Sequence, residues 1–136
     1  GIDASLGRGT SKPFQMVGAP WFLGGDTTFM PISIPGKSNH PPYMNVSCVG
    51  LNFTNLSVDD IRSNARLWLD PLWLFCDQGR NRDGFFLPFF DKLAGNAVWR
   101  GAILQGESEL EVRSTWTTPL AEFRHRRAPY LIYPDE

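Results

Sequence analysis

The chain of 136 residues has only two cysteines and two histidines, no long apolar run, and no excess of charge of either sign. Cys48 and Cys76 are too few and too far apart for a zinc cluster or a Cys-x-x-Cys redox pair. They allow one disulfide or two buried thiols, and neither alternative fixes a compartment. No apolar run reaches the roughly 18 residues of a membrane span and no signal peptide is visible, so no transmembrane segment is expected within these residues. Thirteen basic residues against fourteen acidic ones leave a net charge of −1. That excludes the broad electrostatic footprint of a nucleic-acid binder. The longest basic cluster, Arg124-His125-Arg126-Arg127, reads as the cationic end of a helix, where it complements the terminal dipole.

Catalytic signatures are equally scarce. His40 falls in a loop and His125 in the basic cluster, and neither has the spacing of a nucleophile–base pair. Hydrolysis of a glycosidic bond ordinarily needs two carboxyl groups flanking it. Asp3, Asp26, Asp83 and Asp91 are available, yet Asp26 and Asp83 lie in turns and Asp91 suits a cap or an ion pair on a helix. No catalytic residue, metal site or cofactor is therefore assigned. Asn45, Asn52 and Asn55 begin Asn-x-Ser/Thr triplets, which matter only in a glycosylating secretory pathway.

What the chain does have is apolar mass and turn chemistry. Its 42% hydrophobic and 13% aromatic content, with ten Phe and five Trp, fits one globular domain of residues 1–136. A chain of this size buries roughly two thirds of its unfolded surface without staples. Residues 1–28 read mainly as loop, with Gln15-Met16-Val17 able to join a short element. Strands are predicted over Phe29–Ile34, weakened by Pro31, over Val46–Phe53, and at Tyr130–Tyr133. In the second of these, Val46, Cys48 and Gly50 share one face and Val49, Leu51 and Phe53 the other.

Helices are expected in the remainder. Ser57 and Asp60 form a capping box opening a helix to about Phe75, with a stripe of Ile61, Ala65, Leu69, Leu72 and Cys76 that Pro71 bends or splits. A polar linker covers Asp77 to Gly84, and Phe85 to Leu93 form an apolar cluster of helical character. A short helix follows Asn96, using Val98, Ile103 and Leu104 against the core and ending at Gly106. Ser108 and Glu111 cap the next, whose core candidates are Leu110, Trp116, Leu120 and Phe123, with Pro119 at a kink or fresh start. The sum is an α+β domain in which several helices pack a small, mostly antiparallel sheet.

The segment richest in special residues lies near the start: Gly7-Arg8-Gly9-Thr10, Pro13-Phe14, and Gly18-Ala19-Pro20-Trp21. It has neither hydrophobic period, so it reads as a shaped loop. Gly7 and Gly9 permit backbone angles that would present Arg8 from a tight turn, and Gly18 and Pro20 shape the approach to Trp21. Arg8 could hold a carboxylate through two parallel donors, with Trp21 as an apolar platform. The structural alternative pairs Arg8 with Asp3 or Asp26 and packs Trp21 in a core.

Taken in order, these segments, together with Cys48-Val49-Gly50, Phe90-Asp91-Lys92-Leu93-Ala94-Gly95, Trp116 with Pro119, and Phe123-Arg124 through Tyr130-Leu131-Ile132-Tyr133, resemble the C-terminal part of the DUF1343 family. That family includes peptidoglycan exo-β-N-acetylmuramidases of the NamZ type. The resemblance implies a two-domain enzyme whose Rossmann-like N-terminal domain carries the catalytic glutamate, while the smaller C-terminal domain helps build the cleft. It implies a partner domain upstream of Gly1, a muramic-acid-containing sugar as substrate, and a periplasmic or secreted location. On this reading Arg8, Thr10 and Trp21 contact substrate, Gly7, Gly9, Gly18 and Pro20 shape the loop, and the isolated chain is inactive. The stretch Asn39-His40-Pro41-Pro42 departs from the family's Lys/Tyr/Gly-rich pattern, which leaves substrate preference open. The competing reading is a noncatalytic carbohydrate-binding or protein-interaction domain.

Overall fold

A computed structural model describes residues 1–64 and 66–133. Three short strands, β1 (Met16–Ala19), β2 (Thr27–Phe29) and β3 (Cys48–Asn52), form an antiparallel sheet in the order β1-β3-β2. The helices are α1 (Val58–Asn64), α2 (Asp70–Gly79), α3 (Phe90–Ala94), α4 (Val98–Gln105), α5 (Glu109–Ser114) and α6 (Thr117–Arg127), with a 3₁₀ turn at Ala128–Tyr130. The α+β class with a small antiparallel sheet is as the sequence predicts.

Sheet register is set by glycine. Gly18 of β1 stands opposite Gly50 of β3, and a Cβ on Gly18 would lie 2.7 Å from the Val49 carbonyl oxygen and from the Phe29 ring. The two faces of β3 are covered unequally. Val49, Leu51 and Phe53 pack on the main core, while Cys48 joins Met16 and Phe29 in a small cluster on the other side. Both cysteines are free and buried, which settles the open alternative in favour of two thiols. Burial raises the pKa of Cys48 to about 11 and that of Cys76 to about 12, so both stay protonated and unreactive.

The main core is aromatic. Phe22 and Phe75 stack in parallel with centroids 4.1 Å apart, Trp21 meets Phe75 and Phe85 edge-on, and Trp99 stacks on Trp116 at 4.9 Å. Gln78 of α2 binds both backbone groups of Leu23, pinning the turn after β1 to the helix. The Ala19–Phe22 turn, with Pro20 at its second position, thereby delivers Trp21 and Phe22 to the core.

Several expectations give way to specific physical causes. The predicted strand Phe29–Ile34 ends at Phe29: Pro31 has no N–H for a ladder, and the Ile32 amide turns instead to the Gly9 carbonyl at 2.9 Å. Pro71 splits the first predicted helix in two, fitting the first turn of α2, where its missing N–H costs nothing. In its stripe, Ile61 is exposed and Leu69 and Cys76 are buried; Ala65 lies outside the described residues. The polar linker starts later than Asp77, because α2 runs to Gly79. Only Phe90–Ala94 of the Phe85–Leu93 cluster is helical. Phe85 and Phe86 are extended, pairing with the N-terminal segment through Asp3 N–H to Phe85 C=O and an Ile2–Phe86 bridge.

Corrections also fall at the C-terminal end. Trp99, Ala102 and Ile103 are the buried residues of α4, whereas Val98 and Leu104 are exposed. In α5 it is Val112 that is buried and Leu110 that is exposed; of the remaining candidates Trp116 packs partly against the core, and Leu120 and Phe123 are exposed on α6, which buries no residue along its length. No terminal strand forms at Tyr130–Tyr133: Pro129, with its fixed φ, starts a 3₁₀ turn, and Ile132 is 89% exposed. Pro119 sits in the first turn of α6, which makes it a fresh helix start.

Both capping boxes are present. Ser108 Oγ accepts from the Glu111 amide, and Glu111 accepts from the Ser108 N–H at 2.7 Å; Ser57 and Asp60 repeat the pattern. These bonds to the ionised form hold both carboxyl groups below their ordinary values, chiefly the backbone N–H for Glu111 and the serine hydroxyl for Asp60. A carboxyl depressed in this way stabilises the fold above its unfolded pKa, and that contribution disappears as the pH falls through the folded value. Carboxyl ¹³C shifts followed against pH should place the Glu111 midpoint below that of a free glutamate. Ser108→Ala should move it only part of the way back up, because the hydroxyl bond is lost while the backbone N–H is kept; an unchanged midpoint would show that the hydroxyl does not contribute.

Candidate functional site

The Gly7–Thr10 turn is held closed from within. Its ends meet through the Thr10 amide on the Gly7 carbonyl at 3.1 Å, while the Thr10 hydroxyl donates to the same oxygen at 2.7 Å and accepts from the Lys12 amide at 3.0 Å. Gly7 and Gly9 have φ of 71° and 83°, in the left-handed region that a side chain disfavours. A Cβ on Gly9 would also lie 2.5 Å from the Ile32 carbonyl oxygen, so the turn rests directly on the segment after β2. The turn therefore presents Arg8 outward while burying Gly7 and Gly9.

Arg8 has no carboxylate partner among the described residues. The three ion pairs found there are Arg80–Asp77, Arg100–Asp91 and Arg113–Glu109. Both acids that might have neutralised Arg8 are engaged elsewhere: Asp26 accepts the Asn52 amide at 2.8 Å, and Asp3 binds Tyr43 and Trp21. What Arg8 does contact is Phe14, with the guanidinium carbon 5.9 Å from the ring centroid.

Three loops form one platform around this residue. The Phe14 amide donates to the Leu6 carbonyl at 2.7 Å, Ile32 to Gly9, and Asn45 to the Pro31 carbonyl at 2.7 Å. The only non-glycine residues with positive φ among the described residues, Phe14, Tyr43 and Asn45, all lie in these loops. Left-handed backbone at an aromatic residue is unfavourable and tends to be kept where a site requires it.

Trp21 belongs to a neighbouring cluster. Its indole N–H is shared between Tyr43 Oη at 3.2 Å and Asp3 Oδ2 at 3.3 Å, and the Tyr43 hydroxyl donates to the same carboxylate oxygen at 2.5 Å. Desolvation, reinforced by the Asp3 bond, pushes the Tyr43 pKa up to about 12. Arg82 covers the Trp21 ring at 5.1 Å. Trp21 is thus partly packed against the core, as the structural alternative had it, and the structure separates its contacts from those of Arg8. Of the carboxylates considered for hydrolysis, Asp91 is held by a bidentate Arg100, while Asp3 and Asp26 are bonded as above. Among the described residues no His/Cys/Asp/Glu group could hold a metal ion.

A family model described as exo-β-N-acetylmuramidase NamZ, C-terminal, matches residues 1–133. The chain belongs to the NamZ C-terminal family. The peptidoglycan β-N-acetylmuramidase NamZ of Bacillus subtilis (strain 168) is 28% identical over 145 residues, covering 98% of this chain and 34% of that protein. The crystal structure of a DUF1343 family protein from Bacteroides fragilis NCTC 9343 is 39% identical with a TM-score of 0.87. It covers all of this chain, which corresponds to 38% of that one. This NamZ C-terminal domain therefore spans about a third of the length of the relatives it matches.

Sequence reasoning placed Arg8 in a presenting turn but did not single out Phe14, Asp3, Tyr43 or Arg82 as parts of the site. Phe14 carried a signal, an aromatic directly after Pro13 in a loop with no apolar period. Its left-handed φ and the Tyr43–Asp3–Trp21 triangle, which joins residues 40 apart in the chain, carried none.

Proposed function

We propose that this domain forms one wall of the substrate cleft of an exo-β-N-acetylmuramidase, with Arg8 as the receptor for the lactyl carboxylate of a non-reducing-end N-acetylmuramic acid residue. The observation that carries the reading is an exposed arginine, on a turn locked by two left-handed glycines, with both candidate acids, Asp3 and Asp26, engaged elsewhere. A guanidinium offers two parallel in-plane donors, which match a carboxylate and distinguish muramic acid from N-acetylglucosamine. Family membership supports the substrate class: muramidase activity is what the name of the B. subtilis relative states.

On this reading the domain binds and orients, and the reacting carboxyl groups come from an upstream Rossmann-like domain that carries the catalytic glutamate. Thr10 acts by locking the turn, since its hydroxyl is already engaged on both sides. Trp21 acts one layer back, anchoring the Asp3–Tyr43 triangle beneath the platform. A substrate drawn from the cell wall puts the site of action in the periplasm or outside the cell. Full-length protein incubated with 4-nitrophenyl β-N-acetylmuramide should release nitrophenol, and residues 1–136 alone should release none. Turnover of a different β-glycoside with no release from the muramide would reject the substrate class, and robust release by the isolated domain would reject the division of labour.

A further inference from the structure

We infer that Phe14 is a positioning residue for Arg8: its strained backbone holds the phenyl ring beneath the guanidinium, so that the fork is pre-aimed at a carboxylate. The inference rests on the reading of Arg8 as the carboxylate receptor. Phe14 is 67% exposed, so its ring is not held for core packing. It nevertheless keeps a φ of 64°, pinned by the 2.7 Å bond from its amide to Leu6. The Arg8 guanidinium lies over that exposed ring.

A lone arginine on a surface turn samples many rotamers, and ordering it on binding detracts from affinity. Lying over an aromatic ring restricts those rotamers while taking up no hydrogen bond, so the N–H donors stay free for a carboxylate. Gly7 and Gly9 fix the stem of Arg8 and Phe14 fixes its head. The two halves of the loop, Gly-Arg-Gly-Thr and Pro-Phe, thereby act as one unit, a turn and its backstop. The ligand chemistry is that of a sugar bearing a carboxylate close to its ring.

The test uses full-length protein and 4-nitrophenyl β-N-acetylmuramide, with the lactyl methyl ester as the substrate that lacks the charge. Phe14→Leu, which keeps apolar bulk and removes the π face, should raise KM for the free acid about three- to fivefold at unchanged kcat, the scale of an exposed cation–π contact. Phe14→Trp should restore it, and neither variant should change KM for the ester. Phe14→Gly, which accepts the left-handed φ, should raise the thermal midpoint by about 2 °C while weakening binding of the acid, a divergence that a purely structural residue would not show. Wild-type KM in Phe14→Leu alongside a large loss in Arg8→Ala would overturn the positioning role and leave the Arg8 reading standing. Wild-type KM in Arg8→Ala would remove the reading itself, and with it the inference. A lower midpoint in Phe14→Gly would assign the ring to packing and likewise overturn the proposal.

Discussion

Arg8→Ala in the full-length protein should raise KM for a β-N-acetylmuramide about ten- to a hundredfold, with kcat changed far less. Hydrogen bonds to a charged group contribute about 1.5–3 kcal/mol, and each 1.4 kcal/mol is about tenfold in affinity. The lactyl group lies away from the bond that breaks, so its interaction is made equally in ground and transition states and appears in KM. Arg8→Lys should fall between wild type and alanine, since an ammonium keeps the charge but loses the fork. Esterifying the lactyl carboxylate should abolish the difference between wild type and Arg8→Ala. A full effect persisting on the ester would mean that Arg8 acts by holding the loop, and a KM unaffected on the free acid would remove Arg8 from the site. Because Arg8 is exposed and has no carboxylate partner among the described residues, its loss should leave the unfolding midpoint within error.

The part of this site legible in the sequence was the part encoded by residue type. Gly7 and Gly9 announced a tight turn because only glycine enters the left-handed region freely, and the structure gives them φ of 71° and 83°. Capping boxes were legible for the same reason, each being a local exchange of bonds within four residues. Pro71, expected to bend or split a helix, and Pro119, expected at a kink or a fresh start, both fall in the first turn of a helix, because proline fits where an N–H has no partner. What the sequence could not show was whether an apolar residue finds a neighbour. Leu120 and Phe123 sit one turn apart on α6, yet α6 buries nothing, since amphipathic periodicity describes a face and not its covering. Tyr130–Tyr133 has strand-forming residues but pairs with no strand among the described residues. Trp21 was ambiguous because its role depends on Asp3 and Tyr43, brought from 18 residues before it and 22 after it.

Gly50→Ala should be the most damaging small substitution in the domain, costing about 3 kcal/mol, at the upper end of what overpacking a tight site does. Gly50 faces Gly18 in the β1–β3 pair, and a Cβ on it would collide with the Val17 carbonyl and lie 2.7 Å from the Gly18 Cα. Gly25 presses on Gly50 from a third segment, its own added Cβ falling 2.8 Å from the Gly50 amide nitrogen. Three segments thus meet at glycines, and the atoms in the way are backbone, which cannot swing aside as a side chain would. Relief requires β1 to separate from β3. The consequence reaches the site, because Gly18 also exchanges both backbone bonds with Ser5, at 2.8 and 2.9 Å, two residues before the Gly7 turn. Urea unfolding of full-length Gly50→Ala should show a transition moved to lower denaturant. At concentrations where the protein remains folded, KM for the muramide should rise because the turn carrying Arg8 has lost its footing. Wild-type stability with Ala at position 50 would show that the sheet register tolerates a side chain there. Lost stability with an intact KM would show that the loop platform holds its shape independently of the strand beneath it.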